Sequence, residues 1–219
     1  MADRMGSTKL NEYAAAFGLG QPTGIELGEE TGFLITQDYV QNKGDTWYDH
    51  SGDTLQIAIG QLFEVTPLQL ANYIATLLRG GTRYGAHLLE NVTSYDGSRV
   101  LYTHEPEVLS QVEMSESTLA AVKQGMGDLV KSGSVSRQFK ECVVTAGAKT
   151  GSAQTGESVA NGVFVCFAPF DEPEIAVAVA IERGGSGAAL ASTAVEILNA
   201  YFAPSDIGSA LIPEGALLS

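Results

Sequence analysis

Between residues 142 and 182 three apolar, strand-like segments follow one another with no helical pattern between them, and a helical pattern closes the run. The segments are residues 142–148, 162–168 and 174–182, and the closing helix is expected over 188–202. Parallel neighbours need a long, usually helical crossover, whereas a direct return makes them antiparallel. The last two segments are joined by the turn Pro169-Phe170-Asp171-Glu172-Pro173, and the first two by a longer loop. The run therefore predicts an antiparallel three-strand meander with the last helix packed on one face, an α+β arrangement.

The first of these segments leads into Gly147-Ala148-Lys149-Thr150-Gly151-Ser152-Ala153-Gln154. A Lys-Thr-Gly-Ser run leaving a strand sets an ammonium, two hydroxyls and a stretch of bare backbone along one lip of a groove. That set suits an acyl substrate bearing a carboxylate. The tripeptide alone is short enough to arise by chance, and a strand-end turn with a solvated lysine is the plain alternative. Its surroundings decide.

Those surroundings begin with charge. Twelve basic against 26 acidic residues give a net charge of −14, which argues against a nucleic-acid partner. No block of like charges gathers the acidity into a tail, so it reads mainly as a solubility feature of a surface. In such a field a lone cation in a groove matters for capturing an anion. With 44% hydrophobic residues over 219 positions, the chain can bury a sizeable core. Cys142 and Cys166 sit in apolar runs and read as small buried hydrophobes, and a disulfide between them cannot be inferred from sequence. His50, His87 and His104 are scattered, so neither a metal site nor a cofactor is expected. The first residues lack the apolar centre of a signal peptide, and the longest apolar run, 175–181, is too short to span a bilayer.

Taken in order, Lys9, Leu10, Tyr13, Ala14 and Phe17 have helical spacing, stopped by Gly18 and Gly20. Residues 25–27 look strand-like, and 28–54, with Trp47 and Tyr48, read mainly as loop. Thr66-Pro67-Leu68-Gln69 predicts a capped helix start, with Leu70, Tyr73, Ile74, Leu77 and Leu78 inward and Gly80-Gly81 as its end. Residues 83–102 suggest a strand pair about the turn Asp96-Gly97. A second capped helix is expected from Ser115, with Leu119, Val122, Met126, Leu129 and Val130 inward and Gly133 as its stop. The Gly-rich Glu182-Arg183-Gly184-Gly185-Ser186-Gly187 resembles a phosphate loop only superficially and reads as a strand-to-helix connection.

Four segments in order carry a resemblance. They are Phe17-Gly18-Leu19-Gly20-Gln21-Pro22-Thr23-Gly24-Ile25, Ala58-Ile59-Gly60-Gln61 leading to Val65-Thr66-Pro67-Leu68-Gln69-Leu70-Ala71, Ala148 to Gln154, and Gly162 to Pro169. Together they resemble the C-terminal two-thirds or so of the transpeptidase domain of class B penicillin-binding proteins. The resemblance covers residues 2 to about 202 and implies a β-lactamase/transpeptidase-like fold. Residues 1–202 are then expected to be the C-terminal portion of that domain, and 203–219 a loosely ordered tail.

The family works by acyl transfer through Ser-x-x-Lys, Ser-x-Asn and Lys-Thr/Ser-Gly. Only the third stands here; Ser51-Gly52-Asp53 is a poor echo of the second, in the wrong place. Ala2-Asp3-Arg4-Met5-Gly6 resembles the helix that follows the second motif. The chain is thus expected to start just after it, without the nucleophile, and to be inactive alone. The resemblance implies that Lys149 supplies positive potential for the carboxylate and assists proton movement, and that Thr150 and Ser152 offer it hydroxyls. Gly151 would leave room for a substrate lying along the strand, and the Ser152 N–H would form half of the oxyanion hole. Lys149 and Ser152 are the catalytic candidates, and Lys149, Thr150, Gly151 and Ser152 the substrate-binding ones. Ser152 is no nucleophile, for no base stands near it in sequence. The family usually has Thr where Ser152 stands, and an aromatic or His near Asn161-Gly162-Val163.

The implied activity is D,D-transpeptidation of peptidoglycan stem peptides ending in D-Ala-D-Ala, with β-lactams trapping the same acyl-enzyme. The implied setting is the extracytoplasmic face of the bacterial membrane, with the anchor and the rest of the domain outside this sequence. The alternative of another class is a β-lactam sensor or a non-catalytic cell-wall scaffold on the same fold; a β-lactamase fits the Ile-Gly-Gln to Thr-Pro-Leu-Gln stretch poorly. Alone, the meander is expected to expose an unpaired strand edge and self-associate.

Overall fold

The computed structural model describes residues 2–45, 51–156 and 158–203. Four helices come first: α1 (Ala2–Ala16), α2 (Gln37–Asn42), α3 (Ser51–Ala58) and α4 (Pro67–Leu78). Short strands β1 (Thr82–Tyr84), β2 (Asn91–Thr93), β3 (Val100–Thr103) and β4 (Val108–Gln111) follow, then α5 (Glu116–Lys131). The last part is β5 (Gly147–Ala153), β6 (Asn161–Ala168), β7 (Ile175–Ile181) and α6 (Ala191–Phe202). The expected meander is there: β5, β6 and β7 pair antiparallel in sequence order.

The sheet is buried on both faces, which is why β6 is apolar from Val163 to Ala168. Phe164, Cys166 and Ala168 join Ala148 and Val177 against Ala191, Ala194, Val195 and Leu198 of α6. The alternate residues Val165 and Phe167 face Ile74 and Leu77 of α4 and Met126 of α5. Full burial of a side chain such as Phe164 or Phe167 stabilises by about 1.5–3 kcal/mol. Cys142 and Cys166 are both free thiols, and burial pushes Cys166 up to about 12.

The start of α4 forms as its residues dictate. Thr66 Oγ1 accepts from the Gln69 N–H at 3.2 Å, and Gln69 Oε1 accepts from the Thr66 N–H at 3.0 Å. Gln69 is buried, and its Nε2 also donates to the carbonyls of Gln21 and Thr31, both at 2.8 Å. Buried Arg83 donates to the carbonyl of Pro22 and, at 3.1 Å, to Asn72 Oδ1. The Gln21-Pro22-Thr23 turn and the helix-start motif are therefore two halves of one hydrogen-bonded joint.

Several expectations need correction. Residues 25–27 form no strand; the Glu26 carboxylate holds the Leu88 and Leu89 amides at 2.8 and 3.1 Å instead of entering a backbone ladder. The 28–54 stretch contains α2, capped by Thr36, and the start of α3. Trp47, Tyr48 and His50 lie outside the described residues, as does the tail beyond Ala203. Arg83 belongs to β1, which pairs with β4, while the Asp96-Gly97 turn joins β2 to β3. Val122 is 39% exposed; Lys123 lies over the core edge instead, its Nζ 5.2 Å from the Phe170 ring centre. The first sheet strand starts at Gly147, not at 142, because Cys142 ends a 3-10 turn and the Val143 N–H is taken by Asn199 Oδ1 at 2.8 Å. Residues 187–190 form a 3-10 turn ahead of α6.

Candidate active site

β5 has a hydrogen-bonded neighbour on one side only, so among the described residues its outer edge is free. Lys149, Thr150, Gly151 and Ser152 lie inside this strand rather than after it, paired with Val165, Phe164, Val163 and Gly162. The strand period of two sorts them. Thr150 and Ser152 share the face of Ala148, toward α6, while Lys149 and Gly151 share the face of Val163 and Val165. The four residues come together as the sequence suggests, but on both faces of one edge.

Lys149 is exposed, and its ammonium donates to the Thr150 carbonyl at 2.5 Å. Among the described residues no carboxylate lies within ion-pair distance of it. At Gly151 an added Cβ would meet only Val163, at 3.5 Å or more, an ordinary contact. The bare backbone there is no packing requirement of this sheet. Gly147, by contrast, is required by packing, since a Cβ would come within 2.5 Å of the Phe167 ring.

Ser152 is exposed, and its Oγ accepts from the Gly187 N–H at 3.1 Å. The Gly-rich connection singled out in the sequence is a strand-to-helix link, as expected, but it also lies over β5. The Gly185 N–H bonds Ala160 O at 2.8 Å, and Ser186 caps the 3-10 turn. Sequence reasoning missed Gly187 as a neighbour of the site. It also missed Gln61, whose Nε2 donates to Gln154 O at 2.6 Å. The signal for Gln61 was the Ile59-Gly60-Gln61 motif itself.

A helix-flanked antiparallel sheet whose edge strand carries Lys-Thr-Gly-Ser is the arrangement of the β-lactamase/transpeptidase-like fold. The family model described as the penicillin binding protein transpeptidase domain matches residues 1–202, and the chain belongs to that family. It is 34% identical over 187 residues to penicillin-binding protein 2A of Bacillus subtilis, covering 78% of this chain and 25% of that protein. It is 31% identical over 217 residues to peptidoglycan D,D-transpeptidase MrdA of Escherichia coli, covering 89% of this chain and 33% of that protein. Among solved structures, Pseudomonas aeruginosa PBP2 in complex with WCK 5153 superposes with a TM-score of 0.79 at 26% identity, over 94% of this chain and 46% of that one. The resemblance drawn from the four motifs is borne out, and with it the fold. The chain spans a quarter to a third of the length of the two relatives, 25% and 33%. No helix among the described residues is long and apolar enough to cross a membrane.

Proposed function

We propose that residues 1–202 are the C-terminal portion of a serine-type peptidoglycan D,D-transpeptidase domain. The observation that carries this is the Lys149-Thr150-Gly151-Ser152 run on the edge of β5 left free among the described residues, with Lys149 and Ser152 exposed, within a family match over residues 1–202. A stem peptide ending in D-Ala-D-Ala lies along that edge as an added strand. Its carboxylate meets the Lys149 ammonium and the hydroxyls of Thr150 and Ser152. The absence of any steric need for Gly151 supports this, since a side chain there would obstruct a ligand and not the fold.

The Ser152 N–H donates to the developing oxyanion. The nucleophilic serine, outside residues 1–219, attacks the penultimate D-Ala carbonyl, D-Ala leaves, and an amine of a neighbouring stem peptide takes the acyl group. A β-lactam acylates the same serine. No resident metal or cofactor enters this reading. The natural setting is the outer face of the bacterial membrane, where the substrate is.

Intact mass after incubation with a β-lactam tests the proposal. The 219-residue chain should stay unmodified, and the complete gene product should gain one adduct on a serine outside it. An adduct on this chain would overturn the assignment of the nucleophile, and none on the complete product would overturn the activity.

A further inference from the structure

We infer that Gln61 is a positioning residue of the acyl-transfer site, its side-chain amide clamping the exit of β5 so that Ser152 is held in place. The inference rests on the transpeptidase reading above.

Gln61 is itself held rigidly. α3 ends in a Schellman cap: Gly60 takes φ +78°, its N–H bonds Ile57 O at 2.9 Å, and the Gln61 N–H bonds Gln56 O at 3.0 Å. The helix beneath is anchored by Ile57, only 3% exposed, and packs against α1. From that fixed backbone the side chain crosses to Gln154, the first residue beyond β5, and donates to its carbonyl at 2.6 Å.

The need for such a clamp follows from the topology. β5 is an edge strand, so its ladder to β6 constrains one side only, and that ladder ends at Ala153 opposite Asn161. Ser152 lies two residues before Gln154, about 6.6 Å along a strand. Movement of the strand exit therefore moves the Ser152 N–H and hydroxyl, and a 1 Å error at a reacting centre can cost about 10²-fold in rate. Removing the clamp loosens the site without unfolding the sheet, whose two cores lie farther along β5 and β6.

The test uses the complete gene product with a fluorescent penicillin and a D-Ala-D-Ala peptide. Q61A removes the donor and Q61N is too short to reach. Each should lower the acylation rate constant and kcat by about tenfold or more while KM changes far less. Exchange of the amides at 152–154 should quicken in both. Q61E sets an acceptor against the carbonyl, and its deficit relative to wild type should shrink as the pH falls toward about 4, where the protonated carboxyl donates. Wild-type rates in Q61A and Q61E would overturn the inference while leaving the activity standing. Should Q61A lose its cooperative melt, the Q61E titration decides: recovery supports the clamp, and a flat deficit overturns it. A wild type that takes no label overturns the transpeptidase reading instead.

Discussion

The amide of Gly187 donates to the Ser152 hydroxyl at 3.1 Å, on the sheet face opposite Lys149. A hydroxyl has one proton and two lone pairs. With Gly187 on one lone pair, the proton remains to be given outward to a carboxylate, so the turn fixes Ser152 as a donor. Gly187 can approach only because it lacks a Cβ, which would stand 2.2 Å from the Gly151 carbonyl oxygen and 2.4 Å from that of Val163.

Substitutions at these two positions should therefore part company. S152A leaves the sheet intact and removes one hydrogen bond to a charged group, worth about 1.5–3 kcal/mol, or roughly 10–150-fold in capture of a carboxylate ligand. S152T, the usual family residue, should stay near wild type. G187A must push the turn off two backbone carbonyls and should lower both the melting temperature and β-lactam acylation in the complete gene product. Equal melts for G187A and wild type would show that the turn yields freely.

Lys149 should act mainly through its charge. In a chain of net charge −14, it presents an ammonium with no described carboxylate in ion-pair range. K149A should weaken binding of carboxylate-bearing β-lactams about 10–150-fold, K149R much less, and the difference should narrow as salt screens the charge. A ligand with that carboxylate esterified should not distinguish K149A from wild type. If it does, Lys149 serves something other than the carboxylate.

Much of this was legible in the residues because local chemistry and tertiary fold agree there. Thr66 and Gln69 form the capping box that their spacing suggests, and the three apolar segments form the meander. Apart from α2, capped locally by Thr36, the misses share a cause, groups whose partners are distant in sequence. Residues 142–146 look like strand, yet Asn199 takes the Val143 amide and the strand starts five residues later, bringing the Lys-Thr-Gly-Ser run inside it. The inward place given to Val122 went to Lys123, whose stem lies along the core edge beside Phe170. The contacts of Gln61 with Gln154 and of Gly187 with Ser152 span 93 and 35 residues; the Ile59-Gly60-Gln61 motif marked the first residue, but no local pattern could name either partner.

The joint at the start of α4 should be acid-sensitive. The Glu29 carboxylate accepts from the Thr23 N–H at 2.9 Å and the Thr23 hydroxyl at 2.7 Å, beside the turn held by Arg83 and Gln69. Burial pushes its pKa up, but the Thr23 and Gly24 hydrogen bonds and the Arg83 charge outweigh this and hold it below the ordinary 4.5. A carboxyl depressed on folding contributes stability above its unfolded pKa and loses it as pH falls through the folded value. E29Q should therefore melt lower than wild type at pH 7, with the gap closing below about pH 4.5. Thermal melts of both proteins from pH 7 to 3 check this, and a gap constant with pH would remove the ionised carboxylate from the account.

β7 forms the far edge of the sheet. β7 reads Ile-Ala-Val-Ala-Val-Ala-Ile, has no charge or proline, and pairs only with β6 among the described residues. Ile181 is 44% exposed at its end. An uncharged, β-prone strand with an open edge is a template for pairing with another copy. The 219-residue chain on its own should therefore self-associate, its sedimentation coefficient rising with concentration up to about 100 µM. Ala180→Lys introduces a charge at an exposed position of this strand and should flatten that dependence while leaving the melt nearly unchanged. A monomeric wild-type chain across the same range would mean that this edge is protected. Association unmoved by Ala180→Lys would put the contact elsewhere, with the free edge of β5 the next strand to charge.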